Sequence, residues 1–343
     1  MTQFDHGDAA SGIEAAAPPN RAGLLAVLLT LTFAGLCAVL LIPGVLVTTE
    51  MENDVLHLMD AVGRRDAGQF AHLDFVTPMG DLSIELMAFW RRAFDLPFGM
   101  SMLMANCTAM AAALPLAIWA GASRLGFWPG LALGVYCLVL AGALSWRVDA
   151  VSVTFAMSYN RWAWALAIPA LTLLLVRPRD PGGRTDLIDG LAIGLTAAAL
   201  AWLKASYAAA LAPVFVLWAV LTGRMRAGLL AVAAGAAAFA GFAVALAGDV
   251  PTAIALTEGY VRDLLFVATS PERPAPGAGP LQLIAAPSQA LGSILCLIAG
   301  VILLGARLRA EGVIWTAGFV AMAAIAWQNF GNDMLGQMAF GAA

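Results

Sequence analysis

Apolar residues in this chain run in long blocks rather than in alternation, and polar residues collect in the gaps between the blocks. A helix needs about 20 predominantly apolar residues to cross the hydrocarbon core of a bilayer. Nine runs meet or approach that length: 23–48, 98–121, 127–146, 161–176, 187–203, 206–222, 227–248, 287–306 and 313–328. The pattern predicts an all-α fold, a polytopic transmembrane helix bundle of about nine spans. The fifth and sixth runs are separated only by Lys204, Ala205 and Ser206, which predicts a tight helical hairpin.

Two shorter segments have a different pattern. In 52–66, Val55, Leu58, Met59 and Val62 form one apolar stripe. In 82–96, Leu82, Leu86, Phe89 and Ala93 recur at helical spacing beside Arg91, Arg92 and Asp95. Each of those charges would cost about 2.5–3.5 kcal/mol at mid-bilayer. Both segments are therefore expected to be amphipathic helices in the first outer loop, 49–97, with 82–96 lying on the membrane face.

The arginines set the expected orientation. With the N-terminus in the cytoplasm, the inner segments hold Arg21, Arg124, the stretch 177–184, Arg224 with Arg226, and Arg307 with Arg309. This follows the positive-inside rule. Residues 1–22 are expected to be a disordered cytoplasmic tail, and 23–343 a single transmembrane domain in the cell (inner) membrane. The run 23–48 is too long for a signal-peptide core and reads as an uncleaved first span.

Composition agrees with this picture. The chain is 61% hydrophobic and only 12% charged, with a mean hydropathy of +0.84. That is more apolar material than one soluble core buries. The net charge of -4 comes without any basic tail or Lys/Arg cluster, so nucleic acid is not an expected partner. The four cysteines lie inside apolar runs without paired spacing and read as small hydrophobes. Trp90, Trp128, Trp146, Trp162 and Trp327 fall near span boundaries, as an aromatic belt would.

The candidate chemistry sits on the outer side. Glu50 ends the first span, and Asp54 and His57 follow as i,i+3 neighbours on a helix. The stretch HLDFVTPMGD, 72–81, contains a turn that plausibly brings Asp74 near Asp54. A carboxylate here suits general-base removal of a proton from a hydroxyl. Lys204 is the only lysine, and Ser206 and Tyr207 beside it offer hydrogen bonds. A cation at the boundary could hold a lipid phosphate or simply snorkel to the surface. His57 and His72 with Asp54 and Asp74 form no tight metal-ligand motif, so no metal or other cofactor is expected, although a divalent ion is conceivable.

An apolar first span, an outer loop opening with acids, the HLDFVTPMGD segment and interfacial helices together resemble the GT-C glycosyltransferases. SYNRWAWAL (158–166), LKASY (203–207) and NFGND (329–333) also look like segments of bacterial members. The resemblance implies a membrane glycosyltransferase that moves a sugar from a polyprenyl-phosphate-linked donor to a glycan or lipid acceptor on the outer face. It implies a base at Asp54, with Glu50 as rival and Asp74 nearby. Lys204, Arg147, Arg161, His57, Asn160 and Tyr207 are the expected donor contacts on the outer side. Asp81 stands where many members carry Pro, and the chain resembles a shortened member. The competing expectations are a transporter or lipid flippase, which would place ionisable residues within the spans, and a non-catalytic membrane assembly protein.

Overall fold

The computed structural model describes residues 21–44, 52–143, 158–269 and 310–328. Ten α-helices lie among them, with no β-strand. They are α1 (Ala22–Leu41), α2 (Glu52–Asp66), α3 (Asp81–Phe94), α4 (Phe98–Ala120), α5 (Phe127–Gly142), α6 (Ser158–Leu175), α7 (Gly183–Leu221), α8 (Met225–Ala247), α9 (Val250–Thr269) and α10 (Ala310–Gln328). A π-helical turn, Gly121–Leu125, extends α4.

Among the described residues, four helical stretches are long and apolar enough to cross a membrane: Ala22–Leu41, Phe98–Leu125, Gly183–Leu221 and Met225–Ala247. The expectation of about nine spans is therefore met only at the level of an all-helical membrane protein. α5 is short at 16 residues, the run 287–306 falls outside the described residues, and the fifth and sixth runs share one element, α7.

α7 folds back on itself. Lys204 adopts an extended backbone (φ -162°, ψ 98°) in the middle of its 39 residues. A straight helix would separate Asp186 from Arg224 by about 57 Å at 1.5 Å per residue. Instead Arg224 Nε donates to Asp186 at 2.8 Å, so the two halves run antiparallel about Lys204. α8 packs alongside the first half, where a Cβ on Gly194 would overlap the Ala231 carbonyl. Backbones approach this closely in membrane helices when small residues line the contact.

The polar groups sort to two ends of the bundle. At one end Arg124 Nη2 meets Asp189 at 2.5 Å, and Arg224 reaches Asp189 at 2.8 Å. Trp119 donates to the other Asp189 oxygen at 2.8 Å, and Arg124 Nε to the Val176 carbonyl at 3.0 Å. Arg21 lies over the Phe127 ring, and Arg177 pairs with Glu311, at this same end. Arg21, Arg124, Arg177 and Arg224, all expected on one membrane side, are thus gathered together, while Arg307 and Arg309 lie outside the described residues. Lys204 and α3 lie at the opposite end.

The two helices expected within 49–97 form, and most of their charges neutralise one another. Arg64 pairs with Asp60 at 2.8 Å, Arg91 with Asp66 at 2.7 Å, Arg92 with Glu85 at 3.0 Å, and Arg65 also with Glu85. One helix is additional to the expected set: α9, where Glu258, Arg262 and Asp263 interrupt the apolar run. Trp162, assigned above to the aromatic belt, is instead buried and donates to Asn106 at 2.8 Å.

Candidate functional site

The break in α7 organises the polar end. An extended residue interrupts the i→i−4 ladder, so nearby carbonyls need other partners. The Tyr260 hydroxyl donates to the Ala201 carbonyl at 2.7 Å, and the Ala205 amide lies against the same hydroxyl. Tyr260 thus occupies a rung of the α7 ladder. Its ring stacks on Trp202 at 5.3 Å and 12°, and Trp202 stacks on Phe239 of α8 at 4.5 Å. Tyr260→Phe is expected to leave the Ala201 carbonyl and Ala205 amide unmet, lowering stability by about 1–3 kcal/mol. Thermal unfolding of the purified protein in detergent would register the loss.

Two groups of polar residues meet this break from different sides. The first comes from the N-terminal turn of α6. Lys204 Nζ donates to Asn160 Oδ1 at 2.6 Å, and the Tyr207 hydroxyl lies 3.4 Å from the Asn160 carbonyl. Lys204 also sits over the rings of Tyr159 (5.5 Å) and Tyr207 (5.8 Å), a favourable setting for an ammonium group. Trp164 packs edge-on against Tyr207 at 5.3 Å. The Asn160 amide nitrogen, the Trp164 indole nitrogen and the Ser158 hydroxyl are all buried and have no hydrogen-bond partner among the described residues. All of them can donate, and so can Lys204. Arg161 follows Asn160 and is half-buried.

The second group comes from HLDFVTPMGD and α9. His72 is buried with a left-handed backbone (φ 67°), a conformation that costs a residue with a Cβ roughly 1–2 kcal/mol. Its amide donates to the Phe75 carbonyl at 2.8 Å, and its Nδ1 lies 2.9 Å from Asp263 on α9. Its ring lies 4.7 Å from that of Tyr260. Asp81, the first residue of α3, is buried with its Oδ2 3.6 Å from His72 Nε2. Burial, reinforced by Glu85 and Asp263 and opposed by Arg65, pushes the Asp81 carboxyl up to about 8. Burial also holds the His72 imidazole below its ordinary range, against the pull of Asp263.

Two glycines let this loop dock. A Cβ on Gly80 would overlap the Trp202 carbonyl oxygen, and one on Gly259 would overlap the His72 carbonyl oxygen. Both obstacles are backbone and cannot swing aside. Gly80→Ala is expected to lift the 72–81 loop from α7 at a cost of about 1–3 kcal/mol. Limited proteolysis within 67–80 should then proceed faster than in the wild type.

Beneath the break, a partly open apolar cavity of about 410 Å³ runs between α6, both halves of α7, and α8. Leu200 and Ala208 line it on either side of the break, and Leu174, Phe215 and Phe239 lie further along its wall.

The sequence-predicted residues are placed unevenly. Asn160, Lys204 and Tyr207 come together. Asp54 lies in the first turn of α2, its side chain outside the described residues, as are Glu50 and Arg147 altogether. Asp74 is exposed and accepts a hydrogen bond from the Phe70 amide at 2.7 Å, bracing its own loop. His57 is exposed, its Nε2 3.5 Å from the Thr77 hydroxyl. Among the described residues, no group of three His, Cys, Asp or Glu stands close enough to hold a metal ion. Sequence reasoning missed His72, Asp81 and Asp263 as one buried cluster, and Trp164 and Ser158 as donors. The available signals were Asp81 in place of the proline of the GT-C pattern, and polar residues opening an otherwise apolar helix. Comparison with protein-family models, curated proteins and solved structures finds no match for the chain.

Proposed function

We propose that the protein is a membrane glycosyltransferase of GT-C type, drawing a sugar from a polyprenyl-phosphate-linked donor. One observation carries this reading: Lys204 stands at the break in α7 beside buried donors that have no acceptor among the described residues, directly above an apolar cavity. Donors without acceptors suit an oxyanion, because a buried donor left unmet costs about 1–3 kcal/mol. Lys204, Asn160 and Trp164 would hold the phosphate, and the cavity would take the first part of the isoprenoid chain. Arg161 and Arg147 are the further cations proposed for the leaving group, with His57 and Tyr207 as donor contacts.

Asp54 takes the proton of the acceptor hydroxyl, with Glu50 and Asp74 as the other candidate bases. The hydroxyl oxygen forms its bond to the anomeric carbon as the bond from that carbon to the phosphate oxygen breaks. The leaving phosphate keeps the electron pair, and Lys204 stabilises its charge. The anomeric configuration inverts. The acceptor would be a glycan or lipid on the face of the cell membrane that carries Lys204, which is the outer face if the N-terminus is cytoplasmic.

The test is turnover of polyprenyl-phosphate sugars by purified protein in lipid nanodiscs, read as release of polyprenyl phosphate. Asp54→Asn is expected to abolish release while the protein still purifies at normal yield. Wild-type turnover in that variant would remove Asp54 as the base. A lipid flippase could use the same cavity and cradle, but it would move the donor across the bilayer with its sugar bond intact. Translocation without release of polyprenyl phosphate would favour that reading.

A further inference from the structure

The cluster at His72 contains two polar atoms that face each other without bonding. His72 Nε2 and Asp81 Oδ2 are 3.6 Å apart, both lack a hydrogen-bond partner among the described residues, and their side chains are 0% and 5% exposed. A hydrogen bond from a carboxylic acid to a ring nitrogen would be shorter than this. The other ring nitrogen is committed, since Nδ1 lies 2.9 Å from Asp263. With Nδ1–H donating to the Asp263 carboxylate, Nε2 carries a lone pair. It can accept from Asp81 only if Asp81 holds a proton.

We propose that His72 and Asp81 form a one-proton site that latches the 72–81 loop to α9 and, through Gly80, to the break in α7, so that the loop is released as pH rises. With the proton in place, the chain Asp81–H to His72 Nε2 and His72 Nδ1–H to Asp263 is satisfied from end to end. Without it, two buried carboxylates flank a neutral imidazole, and one of them has no donor. The latch does not depend on the glycosyltransferase reading. It concerns only how the loop is held.

The charged groups around the pair do not supply a substitute counter-charge. Along α3, Glu85 follows Asp81 by one turn and adds negative charge. From α2, Arg65 approaches but is paired with Glu85. From α9, Asp263 is itself acidic. Arg262 donates to the His72 carbonyl at 3.2 Å and lies 3.7 Å from Asp263, with its side chain largely in solvent. The Tyr260 hydroxyl is committed to Ala201. α7 presents the Trp202 and Leu203 carbonyls to Gly80, while Lys204 is hydrogen-bonded to Asn160. α4 has no charged residue.

The sign of the effect follows from linkage. In the docked loop the Asp81 carboxyl titrates near 8. In a lifted, solvated loop it would titrate at its ordinary value, near 4. His72 works the other way, because burial holds its imidazole below its ordinary range and a lifted loop would let it take a proton below about pH 6.5. The lifted state therefore binds fewer protons only between about pH 6.5 and pH 8, and docking weakens across that window. Below it the Asp81 and His72 titrations offset each other, and above it the loss levels off.

Hydrogen–deuterium exchange on the full chain in nanodiscs, from pH 5 to 9.5, tests this. Protection of the 70–80 amides is corrected for the intrinsic rate at each pH, with the α2 amides as internal control. In the wild type, the opening constant of 70–80 should rise by up to about tenfold per pH unit between about pH 6.5 and pH 8 and then flatten. In Asp81→Asn the carboxamide can donate to Nε2 at every pH, and the slope should vanish. A flat wild-type profile would overturn the proposal without reference to any variant. So would a wild-type slope that persists in Asp81→Asn.

Discussion

Asp189→Ala is expected to lower stability by about 3–5 kcal/mol, enough to keep most of the protein from purifying as a folded species. Asp189 and Arg124 are both fully buried, and Arg224 shares the same carboxylate. Removing the acid strands a guanidinium deep in the bundle, and an uncompensated buried charge costs that much. A protein stabilised by 5–15 kcal/mol cannot absorb such a loss easily. The same physics predicts partial rescue. Arg124→Met combined with Asp189→Leu removes both charges and should recover part of the loss, because apolar replacement of a whole buried pair is often neutral. Size-exclusion profiles after stepped heating would rank the wild type above the double variant and the double variant above Asp189→Ala. A single variant as stable as the wild type would show that this network does not hold the helix ends together.

Lys204→Met is expected to reduce glycosyl transfer by about 10²–10³-fold, the usual effect of deleting one donor to a developing oxyanion. The loss should fall mainly in kcat, since charge accumulates on the phosphate as the glycosidic bond breaks. Lys204→Arg should recover only part of it. The guanidinium keeps the charge but not the compact ammonium that fits against Asn160 and the two tyrosine rings. Folding should suffer little, because Lys204 is only half-buried and the break in α7 is also held by Tyr260. Equal turnover in wild type and Lys204→Met would disconnect the lysine from the chemistry.

The contrast between what was legible in the sequence and what was not has a physical origin. A bilayer forces spans to satisfy every backbone group internally, so apolar blocks translate directly into helices. That is why α1, α4, α7 and α8 fall where the runs fall. The single break between the fifth and sixth runs was also visible, because a lysine followed by two small residues interrupts two greasy segments. The arginines that share one end of the bundle were visible for a related reason, since each must stay near a membrane surface. α9 was not, because Glu258, Arg262 and Asp263 lower its apolarity below that of a span.

The buried cluster was hidden for a different reason. His72 and Asp263 lie 191 positions apart in the chain, and no local periodicity encodes such a contact. The turn in 72–81 pointed to Asp74 as the acid brought near Asp54, yet Asp74 braces its own loop in solvent, while Asp81 further on is the buried acid. Lys204 and Asn160 were each singled out, but their meeting across 44 positions required the fold. The charges of α2 and α3 illustrate the opposite case. Arg64, Arg91 and Arg92 are paired surface groups, whose individual worth is about 0–1 kcal/mol.

The central claim, that the break in α7 holds a lipid phosphate, is tested most directly by lipid retention. Wild type and Lys204→Met would be incubated with equimolar polyprenyl phosphate and polyprenol, and the lipid retained on each protein identified by native mass spectrometry. The wild type is predicted to retain the phosphate in marked preference to the alcohol, and Lys204→Met to lose that preference while still binding isoprenoid. Equal retention of the two lipids by the wild type, or an unchanged preference in the variant, would contradict it.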